Sequence, residues 1–229
     1  MVKSRYLNAS LTDHWLGVTA FTQPTVQALG LSSSRPDVSD DSNITEPSGN
    51  SYARVNTNGS WNAVGSDRVT TNSAQIQLAE SSGAWDSGNL LRFFCLWDAT
   101  TSGNLLEYGE VGKQANKYFQ PADVATGTNR ITITSHGYSD SDQVVVRAPG
   151  GTTLATGLTD DTVYYVSSID ANTIELYTDS ALTSIVNLTA QGTGTHVIYK
   201  IAAPSVGATP TTITFASGQL TLEAGENNF

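Results

Sequence analysis

The sequence predicts an all-β protein with one short N-terminal helix: an antiparallel β-sandwich with a small β-barrel or sandwich domain inserted near its C-terminal end. Three observations predict it. Only 14% of the 229 residues are charged, against roughly 25% in ordinary globular proteins, and Ser, Thr, Asn and Gly make up the difference, which suits short strands joined by many turns. Residues 90–97 are apolar on both alternating faces, as in a strand covered from two sides. Between about 120 and 200, short strands recur at regular spacing with turn signals between them, unlike the sequence on either side.

Taken in order, Ser4 can cap a helix on which Leu7, Leu11 and Trp15 recur at four-residue spacing, and Gly17 is a natural stop. His14 then falls in the last turn as a surface residue near the negative helix end. After Pro24, residues 25–31 form a short apolar strand. Residues 32–50 are a long polar loop that carries Pro36, Pro47, Gly49 and the acids Asp37, Asp40, Asp41 and Glu46. Their spacing does not match a calcium loop, so a solvated acidic loop is expected. Strands follow at 51–56 and at 74–79, where Ala74, Ile76 and Leu78 alternate with polar residues.

In the strand at 90–97, Leu91, Phe93, Cys95 and Trp97 lie on one face and Leu90, Phe94 and Leu96 on the other. Turn formers at 98–104 lead into a return strand at 105–111. The last strands of this unit are expected at 211–216 and 219–223. The reading therefore divides the chain into a discontinuous sandwich, 1–118 plus 202–229, and an inserted domain, 119–201. Strands of the insert are expected at 130–134, 143–147, 162–167, 173–178 and 195–201. The insert is acidic in its own right, with Asp123, Asp140, Asp142, Asp160, Asp161, Asp170, Glu175 and Asp179 against Arg130, Arg147 and Lys200.

The formal charge of −10 excludes nucleic acid and anionic membrane surfaces as favoured partners. No run approaches the roughly 18 apolar residues of a membrane span, nor is there the apolar stretch of a signal peptide, so a soluble chain is expected. Cys95 is the sole cysteine; among Phe93, Phe94, Leu96 and Trp97 it reads as a buried, inert thiol. The sequons at Asn8, Asn43, Asn58 and Asn187 carry no weight in so Asn- and Thr-rich a chain. His136, before Gly137, sits where a strand turns and has no partner set for metal ligation. Tyr164 and Tyr165 point to opposite faces of one strand. No catalytic, metal or cofactor-binding residue is assigned.

Several ordered segments together resemble a family of short phage virion proteins commonly labelled tail fibre proteins. They are Leu11-Thr12-Asp13-His14-Trp15-Leu16-Gly17, Pro24-Thr25-Val26, Glu46 through Val55, Leu96-Trp97-Asp98-Ala99 with Gly103-Asn104-Leu105-Leu106, and Phe215 through Thr221. The resemblance covers about 1–112 and 203–223. The insert is similar to a repeat module of phage surface proteins, through Ile131 to Gly137, Tyr164-Tyr165-Val166 and Thr173 to Leu176.

The resemblance implies a non-enzymatic structural protein on the outer surface of a virion, assembled in the host bacterial cytoplasm. The main expectation is a capsid decoration or cement protein that binds the major capsid protein through many modest contacts. The alternative is a tail fibre or tail tip protein bound to tail proteins and touching the host, with a host surface glycan as partner. Either role suits a symmetric homo-oligomer, by analogy a trimer. A third reading, an enzyme cleaving host polysaccharide, requires paired carboxylates across a groove, for which Asp140 and Asp142 are the candidates. The helix and the loop 32–50 are expected to anchor the protein to its particle.

Overall fold

A computed structural model of the protein describes residues 2–37, 39, 41–64, 66 and 69–223. The first part of the chain contains β1 (Val2–Lys3), α1 (Arg5–Trp15), β2 (Ala28–Ser32), β3 (Val55–Asn56), β4 (Val69–Thr71), β5 (Ile76–Gln77), β6 (Phe93–Trp97) and β7 (Leu105–Glu110). Next come β8 (Lys117–Phe119), β9 (Val124–Ala125), β10 (Arg130–Thr132), β11 (Gln143–Arg147), β12 (Thr162–Asp170), β13 (Thr173–Tyr177) and β14 (His196–Lys200). The last two are β15 (Thr214–Phe215) and β16 (Thr221–Glu223). With one α-helix and antiparallel sheets among the described residues, the protein is all-β.

The described chain divides into two compact units, one running to Gly112 and resuming at Ala203, the other Lys113–Ala202. In the first, an antiparallel sheet has the order β1-β7-β6-β2-β3. Two short ladders, β15 with β5 and β16 with β4, supply a second layer. The apolar faces meet in one core: Leu29, Leu31, Phe94, Leu96 and Leu106 from the large sheet, and Ile76, Phe215 and Leu222 from the ladders, around a fully buried Trp85. Asn72 ties the distant chain segments together, donating to the Ala216 carbonyl at 2.7 Å and accepting the Leu220 N–H at 2.9 Å. Asn72 and Leu220 are buried, so their polar groups need such partners.

Strand β6 is covered on both faces. Phe94 and Leu96 enter the sandwich core, whereas Phe93 and Cys95 join Leu105 and Tyr108 in a second cluster against Ile44 and Trp97. Ile44 belongs to the long polar loop, which folds back over the sheet. There Ser33 N–H donates to the Thr45 carbonyl, Thr45 N–H donates to Ser32 Oγ, and Arg35 bonds Tyr108. Burial pushes the Cys95 thiol well above its ordinary value, which makes it inert as expected.

In the second unit a single antiparallel sheet of order β8-β14-β11-β12-β13-β10-β9 curls into a half-barrel. Its concave face contributes Phe119, Val124, Ile131, Val144, Val146, Tyr164, Val166, Ile174, Leu176 and Ile198, and the segments bearing Ala155, Leu158, Val186 and Leu188 close over them. Tyr164 points inward and Tyr165 is only half-buried, as the period of two requires.

Several elements depart from the sequence reading. Residues 113–118 join the second unit because β8 hydrogen-bonds to β14, with His196 opposite Phe119. The expected strands at 51–56 and 74–79 shrink to two residues each; in the first, Tyr52 and Arg54 turn to polar partners instead of lying along a ladder, and in the second only Ile76 and Gln77 pair, with Phe215 and Thr214. Four short strands, β1, β4, β8 and β9, carry too few residues for a period to register in the sequence.

Candidate functional site

Most residues singled out by the sequence prove to hold the fold. Glu46, Tyr52 and Arg54 form one half-buried network. Glu46 Oε1 accepts the Tyr52 hydroxyl at 2.8 Å and Arg54 Nε at 2.8 Å, and Oε2 accepts Arg54 Nη2 at 2.6 Å. The other guanidinium arm donates to the carbonyls of Ser102 at 2.6 Å and Ala99 at 3.2 Å, and its carbon lies 3.8 Å from the centre of a Trp97 ring. The Tyr52 hydroxyl also accepts Leu31 N–H at 2.8 Å, beyond the point where β3 stops pairing with β2. A side chain thereby satisfies a strand edge that would otherwise be buried unpaired.

Glycine at position 30 makes this network possible, because a Cβ there would run into Glu46 Oε1 and lie 3.0 Å from the Tyr52 hydroxyl. The hairpin bearing Ala99 and Ser102 is itself shaped by Asp98, whose carboxylate accepts the Asn104 backbone and side-chain N–H groups at 2.6 and 2.7 Å. Gly103, at φ +79°, fits where any side chain would collide with Asp98. Two of the segments that carry the resemblance thus converge on Arg54 as a structural pillar.

The loop acids have similar duties. Asp41 accepts Arg5 N–H at 2.7 Å and Tyr6 N–H at 3.0 Å, and Ser4 Oγ accepts Leu7 N–H at 2.9 Å. The first turn of α1 is therefore fully capped, with a carboxylate at its positive end. Asp37 binds Ser39, which holds its carboxyl below the ordinary value. Asp40 lies outside the described residues. No cluster of three or more His, Cys, Asp or Glu suited to a metal ion occurs among the described residues.

In the second unit, Asp142 pairs with Lys200 at 2.6 Å and accepts Ser139 N–H, while Asp140 accepts Ser168 N–H at 2.7 Å. Both candidate carboxylates are committed to loop structure. His136 is buried: its Nδ1 accepts Tyr138 N–H at 2.9 Å, so the proton sits on Nε2, which faces the Asp170 carbonyl at 2.7 Å. Gly137 follows at φ +71°.

What stands apart is α1. None of its residues is buried, and only Leu7 packs, half-covered, against the sandwich core. Of the expected stripe, Leu7 and Leu11 are half-buried and Trp15 stays exposed. Trp15 is 88% exposed, Leu16 72% and Val18 69%. Beside them, Tyr6, Ser10, Asp13, Thr19, Phe21 and Thr22 line a cavity of about 250 Å³ between the helix and the segment that follows it. His14 Nδ1 accepts Phe21 N–H at 3.2 Å and keeps that segment against the helix.

A family model described as podophage GP4 fiber I protein gp80 matches residues 3–134. The chain belongs to that family. It is a phage virion structural protein. The matched stretch contains α1, the Arg54 network and the whole five-stranded sheet from Lys3 onward, and it runs past the expected limit of 112 through β8, β9 and β10. No curated protein matches the chain.

Proposed function

We propose that the protein is a fibre component of the phage tail, lying on the outside of the particle, bound to tail proteins and acting without catalysis. The observation that carries this reading is the match to a podophage fibre family over more than half of the chain, which favours the fibre role over the head-cement role that was the main expectation. The engagement of Asp140 and Asp142 in loop contacts supports a non-catalytic role, since glycoside cleavage needs two carboxylates facing a substrate. Residues 135–202 lie beyond the family match, and in this reading they face away from the particle and contact the host surface.

Quantitative mass spectrometry of purified particles tests the assignment. A fibre occurs in a small symmetric set at the tail, whereas cement occupies the capsid lattice in on the order of hundreds of copies. The lattice number would overturn the fibre reading. Purified protein should also bind host cells and block infection.

A further inference from the structure

We infer that Asn58 is a self-modification site: without an enzyme it converts to aspartate and isoaspartate, and the conversion unlatches the segment before β2 from the edge of its sheet. Asn58 is the one asparagine of the sequence that is followed by glycine. Thr57, Asn58, Gly59 and Ser60 form a tight turn, closed by Ser60 N–H on the Thr57 carbonyl at 2.9 Å, with Gly59 at φ +80° as the third residue of a type II turn. Both central residues are exposed, and beyond the chain neighbours no heavy atom lies within 4 Å of where a Gly59 Cβ would stand. Gly59 N–H has no acceptor among the described residues. A backbone nitrogen that is unshielded and uncommitted therefore sits next to a carboxamide. Asn72, followed by Ser73, shows the opposite arrangement. It is buried, its side chain is held by Ala74, Ala216 and Leu220, and Ser73 N–H is tied to the Ser60 carbonyl at 2.8 Å.

The chemistry needs only water and a solvent base. The Gly59 nitrogen gives its proton to the base and attacks Asn58 Cγ. The new C–N bond closes a cyclic imide, the Cγ–Nδ2 bond breaks, and the departing nitrogen takes a proton and leaves as ammonia. Water then opens the imide at either carbonyl. Opening at Cγ leaves aspartate, and opening at the backbone carbonyl leaves isoaspartate, with the main chain rerouted through Cβ. One water is consumed, one ammonia is released, and nothing is oxidised or reduced.

The structural consequence follows from what the amide now holds. Thr57 N–H reaches the Gln27 carbonyl at 2.7 Å, just beyond the paired residues of β2 and β3, and Asn58 Nδ2 supplies the next link, to the Thr25 carbonyl at 3.1 Å. Either product replaces that donor with a carboxylate, which only accepts and repels the carbonyl. Isoaspartate also lengthens the turn and draws Ser60 N–H away from Thr57.

The inference is independent of head or tail location. It is tested on the full chain, incubated in mildly alkaline buffer and followed by peptide mapping with mass spectrometry. Asn58 should show the mass gain of an amide turned to an acid before any other asparagine does, with part of the product open to labelling by an isoaspartyl methyltransferase. G59A places a Cβ beside the attacking nitrogen and should slow the conversion by about tenfold or more, a barrier higher by about 1.4 kcal/mol. Conversion first at another asparagine, or at an equal rate in G59A, would overturn the site. N58D reproduces the aspartate product at once. In it, hydrogen exchange at the Thr57 amide should run faster than in the parent by about fivefold, the factor that one lost hydrogen bond supplies, while the amides of β6 keep their protection. Unchanged protection at Thr57 in N58D would overturn the unlatching.

Discussion

Replacing Glu46 with Gln probes the pillar that joins the loop, β2 and the β6–β7 hairpin. Gln preserves the size of the side chain and can keep an oxygen toward the Tyr52 hydroxyl and Arg54 Nε. It puts an N–H group against Arg54 Nη2, a contact that is 2.6 Å with the carboxylate, and leaves the guanidinium without a counter-ion. Breaking a buried pair from one side costs about 3–5 kcal/mol. Here the side chains are 9% and 21% exposed, and Arg54 retains two carbonyls and a Trp97 ring, so about 2–3 kcal/mol is the expected loss. For a chain of this length that corresponds to a fall in Tm of roughly 5–10 °C.

The assay is urea unfolding followed by tryptophan fluorescence. Trp15, Trp61, Trp85 and Trp97 all lie in the first unit, so the signal reports that unit alone. The double variant E46Q/R54M removes the stranded charge and should lose much less than the sum of the single changes. A loss under about 0.5 kcal/mol for E46Q, the range of an ordinary surface substitution, would show that the network does not stabilise the sandwich. Strict additivity in the cycle would show that the two residues act separately.

Two further outcomes concern buried polar groups. Replacing His136 with Ala strands the Tyr138 N–H and the Asp170 carbonyl, at a cost of about 2–4 kcal/mol. Hydrogen exchange at the Tyr138 amide should accelerate while the tryptophan transition stays in place, and unchanged protection would refute the assigned role. Burial on β7 pushes the Glu107 carboxyl above its ordinary 4.5, against the pull of Lys3 on the neighbouring strand. A raised folded value means that its contribution is fully present below the unfolded value and is lost as pH rises through the folded one. E107Q should therefore match the parent near pH 3 and exceed it in stability at pH 7, and equal stability at both would contradict the burial argument.

The double-faced apolar pattern of 90–97 was readable because alternation survives any tertiary context: whichever face turns inward, the other also needs cover. What supplied that cover was not readable. Ile44, in a loop that looked solvated, packs over Cys95 and Tyr108, and one isolated apolar residue in a polar stretch leaves no periodic signal. The acids of the same loop looked alike in sequence, yet Glu46 pairs with Arg54 and Asp41 caps α1 across 36 positions. The helix illustrates the reverse: the Leu7, Leu11 and Trp15 stripe was legible, but periodicity says only that one face is apolar, not whether this chain or another molecule covers it.

By itself the sequence determined the β class, the central strand, most strands of the second unit, the capped N-terminal helix and the inert thiol. All of these follow from local pattern, turn chemistry and composition, which act over a few residues. Tertiary structure alone decided which carboxylates are spent on the fold, that Gly30 makes room for the Arg54 pillar, and that Trp15 stays in water. Those outcomes depend on groups brought together from distant positions, and the distance between them in space is written in no short stretch of the chain.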